Sequence, residues 1–138
     1  MRSHIPNVSF GRRGLLLQSP GKSLGQHTLL EYYDCDVDRL KRTREVKAVT
    51  CAAVRHGGGT IVKTVFHNFS PWGVSGVVVI TESHVTIHTW PEHAYAAVDI
   101  FSCSDKLDHA TIRSDLQRLL GARRVKKRSF KRGLPQPT

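Results

Sequence analysis

No stretch of this sequence is apolar for anything near the ~20 residues a membrane-crossing helix needs. The opening MRSHIPNVSFGRRGLLL carries basic residues, but its continuous apolar run is only Leu15–Leu17. That is too short for a secretory core, and no small-residue cleavage site follows. Cysteine is scarce: Cys35, Cys51 and Cys103, an odd number, with no C-x-x-C pair. The count argues against a disulfide framework, and reduced thiols in a cytoplasmic protein are expected. Acidic residues are absent from 123–138, no internal repeat occurs, and no linker divides the chain.

What is present is basic. The net charge is +10, which invites a nucleic-acid reading. Its distribution argues otherwise. Residues 46–122 hold six Lys/Arg and six Asp/Glu, whereas 123–138 holds seven basic residues and 1–45 eight against five acidic. A run such as RRVKKRSFKRG reads as a solvated edge or end. The length of 138 residues suits one domain, small enough to gain from oligomerisation. Residues 1–22, polar and rich in Gly, Arg and Ser, read as a flexible extension. Residues 23–133 read as the domain and 134–138 as a tail.

HTLLEYYDC (27–35) reads as a strand, and Asp36 or Asp38 is placed to cap a helix running to His56. Val46, Val49 and Ala53 share a face of that helix, and HGGG (56–59) ends it. Strands are predicted over 60–69, through Val77–Ile80 and on to Trp90, and over 95–103. SPWG (70–73) marks a turn. Val85, Ile87 and Thr89 alternate with His84, Thr86, His88 and Trp90, giving one apolar face and one of functional character. DHATIRSDLQRLLGA (108–122) is a helix capped by Asp108, striped by Ile112, Leu116, Leu119 and Leu120, and closed by Gly121. Residues 123–132 can form a last strand. The order β-α-β-β-β-α-β predicts an α+β two-layer sandwich, an antiparallel sheet with helices on one face.

Single motifs carry little. His84 and His88 have H-x₃-H spacing, but four residues along a strand separate them by ~13 Å, too far to share a metal. GVSGV (73–77) misses G-x-S-x-G by one position, so spacing alone makes Ser75 a turn residue. Taken singly, Ser83 is a local hydrogen-bonding serine, His88 a strand histidine and Cys103 a core thiol.

The combination is specific. FHNFSPWGVSGVVVITESHVTIHTWPEHAYAAVDIFSC (Phe66–Cys103) resembles, almost continuously, the S-adenosylmethionine decarboxylase proenzymes of bacteria and archaea. Weaker agreement extends over about Ser23 to Gly133. The resemblance implies that the chain cuts itself between Glu82 and Ser83, leaving Ser83 as a pyruvoyl group. It implies that His88 accepts the processing proton, that Ser75 assists processing, and that Cys103 is the proton donor in catalysis. It places Phe69, Trp90 and Glu92 around the substrate. It also implies a homodimer with active sites at the interface, built from both chains.

Decarboxylating an amino acid leaves charge on the α-carbon, and an electron sink reached through an imine absorbs it. The sequence shows no obvious pyridoxal-lysine context, and the ketone that the resemblance implies, made from the chain itself and binding substrate as a Schiff base, would serve; neither pyridoxal phosphate nor a metal is expected. The expected function is conversion of S-adenosylmethionine to the aminopropyl donor for spermidine. The same machinery acting on arginine or ornithine is the near alternative, because Gln26 and Trp72 depart from the usual family pattern. A basic nucleic-acid-binding module and an uncleaved partner subunit are the distant ones. Ser83 and His88, five apart, fall on opposite faces of a regular strand, so a kink near Ser83 is expected.

Overall fold

Strand alternation sorts the side chains of this chain into two layers. The computed structural model describes residues 23–136; the predicted 1–22 extension and the last two residues of the 134–138 tail lie outside them. In chain order come β1 (Gly25–Tyr33), α1 (Thr43–His56), β2 (Ile61–Asn68), β3 (Val74–Ile80), β4 (Ser83–Trp90), β5 (Tyr95–Ser102), α2 (His109–Leu119) and β6 (Arg124–Arg132). Short 3-10 turns occupy Val37–Leu40 and Pro91–His93. The strands form one sheet in the order β2-β3-β4-β5-β1-β6. Every neighbouring pair is antiparallel.

One sheet face is apolar in strict alternation: Leu30 and Tyr32 on β1, Val74, Val78 and Ile80 on β3, Val85 and Ile87 on β4, Ala96, Val98 and Ile100 on β5. Against it pack Val46, Ala53 and Val54 of α1 and Ile112, Leu116 and Leu120 of the α2 segment. Fully burying one such aliphatic side chain contributes roughly 1.5–3 kcal/mol, so this layer contact dominates the fold's stability. Tyr32 is wholly buried yet satisfied, because its hydroxyl donates to the Arg113 carbonyl at 2.9 Å. Burial holds its phenol protonated well above the usual range. The predicted α+β sandwich is the observed one.

Three details depart from the sequence reading. Four strands, not three, lie between the helices. Val77–Ile80 and Val85–Trp90 belong to separate strands joined by a hairpin whose loop is only Thr81–Glu82. No Asn-Gly or Asp-Gly announces that turn, the usual sign of a two-residue loop. Second, Asp36 caps only the 3-10 turn, accepting from Asp38 N at 3.1 Å. The helix proper starts at Thr43, whose backbone N–H donates to Asn68 Oδ1 of β2 at 2.7 Å. Its cap comes from across the fold and has no local sequence signal. Third, the basic run is a full strand, paired along its length with β1. Helix α2 follows its prediction: Asp108 accepts from Thr111 N at 3.0 Å, and Gly121 follows at φ 66°.

Candidate active site

The hairpin of β3 and β4 carries most of the predicted site, and its two ends hold different chemistry. At the turn, Glu82 adopts φ 62°, left-handed backbone that a residue with a Cβ rarely takes. Its carbonyl accepts the backbone N–H of Cys103 at 3.2 Å. Ser83, the next residue, pairs across the sheet with Ile80 on one side and Ser102 on the other. Both neighbours are buried on the helix side. Ser83 itself lines a small recess with Gly58, Gly59 and Leu107, so it too faces the helices. Cys103 stands exposed just past the end of β5.

At the opposite end of the hairpin, Ser75 and His88 are directly paired across β3 and β4. Ser75 Oγ and His88 Nδ1 lie 2.8 Å apart, a hydrogen bond that fixes the ring. Both line a cleft of about 770 Å³ with Phe69, Trp90 and Glu92. The left-handed Ala94 ends the 3-10 turn that presents Glu92, while Trp90 stacks at a tilt on Tyr95, 5.4 Å between centroids. Tyr95 is anchored in turn by a short bond from its hydroxyl to Glu31.

The structure thus gathers Ser75, His88, Phe69, Trp90 and Glu92 in one place, and Glu82, Ser83 and Cys103 in another. It does not bring the two groups together. The expected kink exists, but it is the turn at Glu82. From Ser83 onward β4 is unbroken, so Ser83 and His88 remain on opposite faces, separated by about 16 Å at ~3.3 Å per residue. His84 and His88 share the open face but have separate partners: His84 stacks on Phe101 at 5.7 Å, and His88 bonds to Ser75. Among the described residues no three His, Cys, Asp or Glu side chains converge as a metal site.

Two groups escaped the sequence reading. Trp72, noted only as a departure from pattern, walls the same cleft, with the Arg42 guanidinium 4.9 Å above its ring. The second is a partly buried polar cluster on the helix side of the sheet, built on Ser102, the cross-strand neighbour of Ser83. His109 Nδ1 lies 2.7 Å from Thr28 Oγ1, and its Nε2 lies 2.8 Å from Ser102 Oγ. Thr28 and His109 are 81 positions apart, and nothing in their local sequence links them.

Fold and site together define an α+β sandwich whose candidate catalytic side chains gather at the two ends of its β3–β4 hairpin. The profile of the S-adenosylmethionine decarboxylase family matches residues 26–133. Similar proteins include the S-adenosylmethionine decarboxylase proenzymes of Thermosipho melanesiensis, 48% identical over 75% of this chain and 80% of that one, and of Thermotoga maritima, 46% identical over 81% and 86%. The crystal structure of the adenosylmethionine decarboxylase from Aquifex aeolicus superposes with a TM-score of 0.77 at 31% identity, covering 85% of this chain and 97% of that one. The Trypanosoma brucei AdoMetDC monomer shares the fold, with a TM-score of 0.53 at 17% identity over 75% of this chain and 44% of that one. The chain belongs to the S-adenosylmethionine decarboxylase family.

Proposed function

We propose that this chain is a proenzyme that cuts itself between Glu82 and Ser83, converts Ser83 to a pyruvoyl group, and then decarboxylates S-adenosylmethionine in the cytoplasm. The observation that carries this reading is the Glu82–Ser83 peptide itself. It sits at a two-residue turn, Glu82 is held at φ 62°, and its carbonyl is polarised by the Cys103 N–H. Left-handed backbone at a residue with a Cβ costs about 1 kcal/mol, which the intact peptide carries and the cut chain sheds.

Self-cleavage uses the chain's own groups. Ser83 Oγ attacks the Glu82 carbonyl carbon, and the acyl group moves from nitrogen to oxygen. The Cys103 N–H supports the oxyanion as it forms. A base, His88, then takes the α-proton of residue 83, and the ester C–O bond breaks to release the Glu82 carboxylate. The enamine left at 83 tautomerises and exchanges its nitrogen for water, losing ammonia and leaving the ketone. Two pieces result, 1–82 and 83–138.

The fit of the surrounding residues supports this cofactor. Ser83 is the first residue of a strand whose ladder to Ser102 persists on the far side of the cut. The pyruvoyl ketone, once formed, supplies the electron sink for the charge that departing carbon dioxide leaves behind. Cys103 then returns a proton from Sγ to the former α-carbon. Phe69 and Trp90 offer aromatic faces to a purine, and Glu92 offers a carboxylate to hydroxyl or amino donors.

Because His88 and the Phe69–Glu92 cleft lie far from Ser83 within one chain, a second copy supplies them. The working unit in this reading is a homodimer in which one protomer's turn meets its partner's cleft. The open sheet face, with Val65, Val77 and Val79 exposed, suits such stacking.

Intact-mass measurement of purified protein tests the reading. Two chains are expected, the second blocked at residue 83 by a ketone, and Ser83→Ala should give one full-length chain. S-adenosylmethionine, arginine and ornithine offered in parallel should yield carbon dioxide from the first alone. An ordinary amino terminus at 83, or an uncut wild-type chain, would overturn the proposal.

A further inference from the structure

The first step of self-cleavage needs a group to receive the Ser83 hydroxyl proton. His88 of the same chain is about 16 Å distant along β4, and a His88 brought by a second copy stacked on the open sheet face approaches from the side opposite the Ser83 hydroxyl, which faces the helices. The helix side of the sheet offers another histidine. Ser102 is the direct cross-strand neighbour of Ser83 and is 3% exposed. Directly opposed strand residues place their Cβ atoms ~4.5–5.5 Å apart on one face, within hydroxyl reach of each other. Ser102 Oγ lies 2.8 Å from His109 Nε2, and His109 Nδ1 lies 2.7 Å from Thr28 Oγ1. Thr28, 1% exposed, reaches Ser129 Oγ at 3.3 Å. The next residue after Ser102 is Cys103, whose N–H holds the carbonyl that Ser83 attacks. One dipeptide therefore addresses both reacting partners, its side chain toward the nucleophile and its backbone toward the electrophile.

We propose that the Ser102–His109 pair receives the Ser83 hydroxyl proton during the acyl shift, making Ser102 the contact residue and His109 a positioning residue that acts through it. This rests on the reading of Glu82–Ser83 as the self-cleaved bond. A neutral imidazole donates through one nitrogen and accepts through the other. With Nδ1 donating to Thr28, Nε2 accepts from Ser102, and Ser102 Oγ is left with a lone pair for Ser83. As Ser83 Oγ bonds to the Glu82 carbon, its proton passes to Ser102 and the Ser102 proton to Nε2. When the C–N bond breaks, the imidazolium returns a proton through Ser102 to the freed nitrogen of residue 83. The relay ends as it began. His88 remains the base for the later elimination.

Burial depresses His109 below the ordinary histidine range, which keeps it neutral and accepting; the neighbouring Asp108 opposes this and His27 reinforces it. Asp105, Lys106 and Lys127 face the same recess from the loop before α2 and from β6. Protonation of His109 removes the acceptor, so the acyl shift should slow only as pH falls through that depressed value.

The test separates the two steps. In His88→Ala the elimination is blocked, so the Glu82–Ser83 ester should accumulate and be cut by hydroxylamine on a denaturing gel. Adding Ser102→Ala or His109→Gln should slow ester formation by about 10²-fold, the scale of a lost general base. The acid-side inflexion in its pH profile should vanish with His109→Gln. Glutamine keeps a donor and an acceptor, and circular dichroism should confirm a folded chain; for any variant that does not fold, the pH profile of ester formation in His88→Ala alone decides. Equal ester formation with and without these substitutions, or an unchanged pH profile, would overturn the relay. No ester in His88→Ala, with an uncut wild-type chain, would instead overturn the self-cleavage reading.

Discussion

Glu82 is unsuited to its backbone, and in the proposed self-cleavage that misfit is useful. At φ 62° a glycine would sit without steric cost, whereas glutamate stores about 1 kcal/mol. Glu82→Gly is therefore expected to raise the thermal midpoint of the uncleavable Ser83→Ala chain. In the cleavable chain it should slow scission by up to about tenfold, since ~1.4 kcal/mol is a factor of ten. Glu82→Ala, which keeps the Cβ, should do neither. Calorimetry and a gel time course check the pair. Ser83, His88 and Cys103 were assigned from a near-continuous likeness over Phe66–Cys103, not from their own spacing. Ser102, Thr28 and His109 stayed hidden because hydroxyls joined to a histidine 7 and 81 positions away have no period to detect.

Among elements, the β2–β3 pair depends on a close approach. The Phe66 ring lies over Gly76, where an added Cβ would fall 2.1 Å from a ring carbon. Gly76→Ala must displace that ring and is expected to cost about 1–3 kcal/mol. In a Phe66→Ala background the same substitution should cost much less, a coupling that a double-mutant cycle in urea would read. The helices were legible because their stripes recur at 3.6 residues, and Ile112 and Leu116 fell where the pattern put them. The hairpin was not, because Val77–Ile80 reads as one apolar block although Val78 and Ile80 point inward while Val77 and Val79 remain partly exposed. Alternation is invisible where both faces carry valine. The cap on α1 from Asn68 was equally unreadable, being 25 positions away.

For the whole molecule, the split site makes a sharp forecast. Cys103→Ala and Glu92→Gln chains should each be inactive alone. Coexpressed, they should regain decarboxylation in the proposed homodimer, because one of the two interface sites in a mixed dimer would then have both intact residues. No recovery, with mixed dimers shown by native mass spectrometry, would argue that each chain completes its own site. The basic balance of the sequence, +10 overall, gives no hint of the proposed arrangement. Its charge is spent largely on β6, an edge strand that lysine and arginine guard against unwanted pairing. The strand order β2-β3-β4-β5-β1-β6 carries one more meaning. A break after Glu82 leaves β1, β2 and β3 in one fragment and β4, β5 and β6 in the other, with β1 wedged between β5 and β6. The fragments clasp like interlaced fingers. Losing one covalent link would cost the fold no neighbour, so the proposed scission should yield two subunits that travel as one until a denaturant melts them apart.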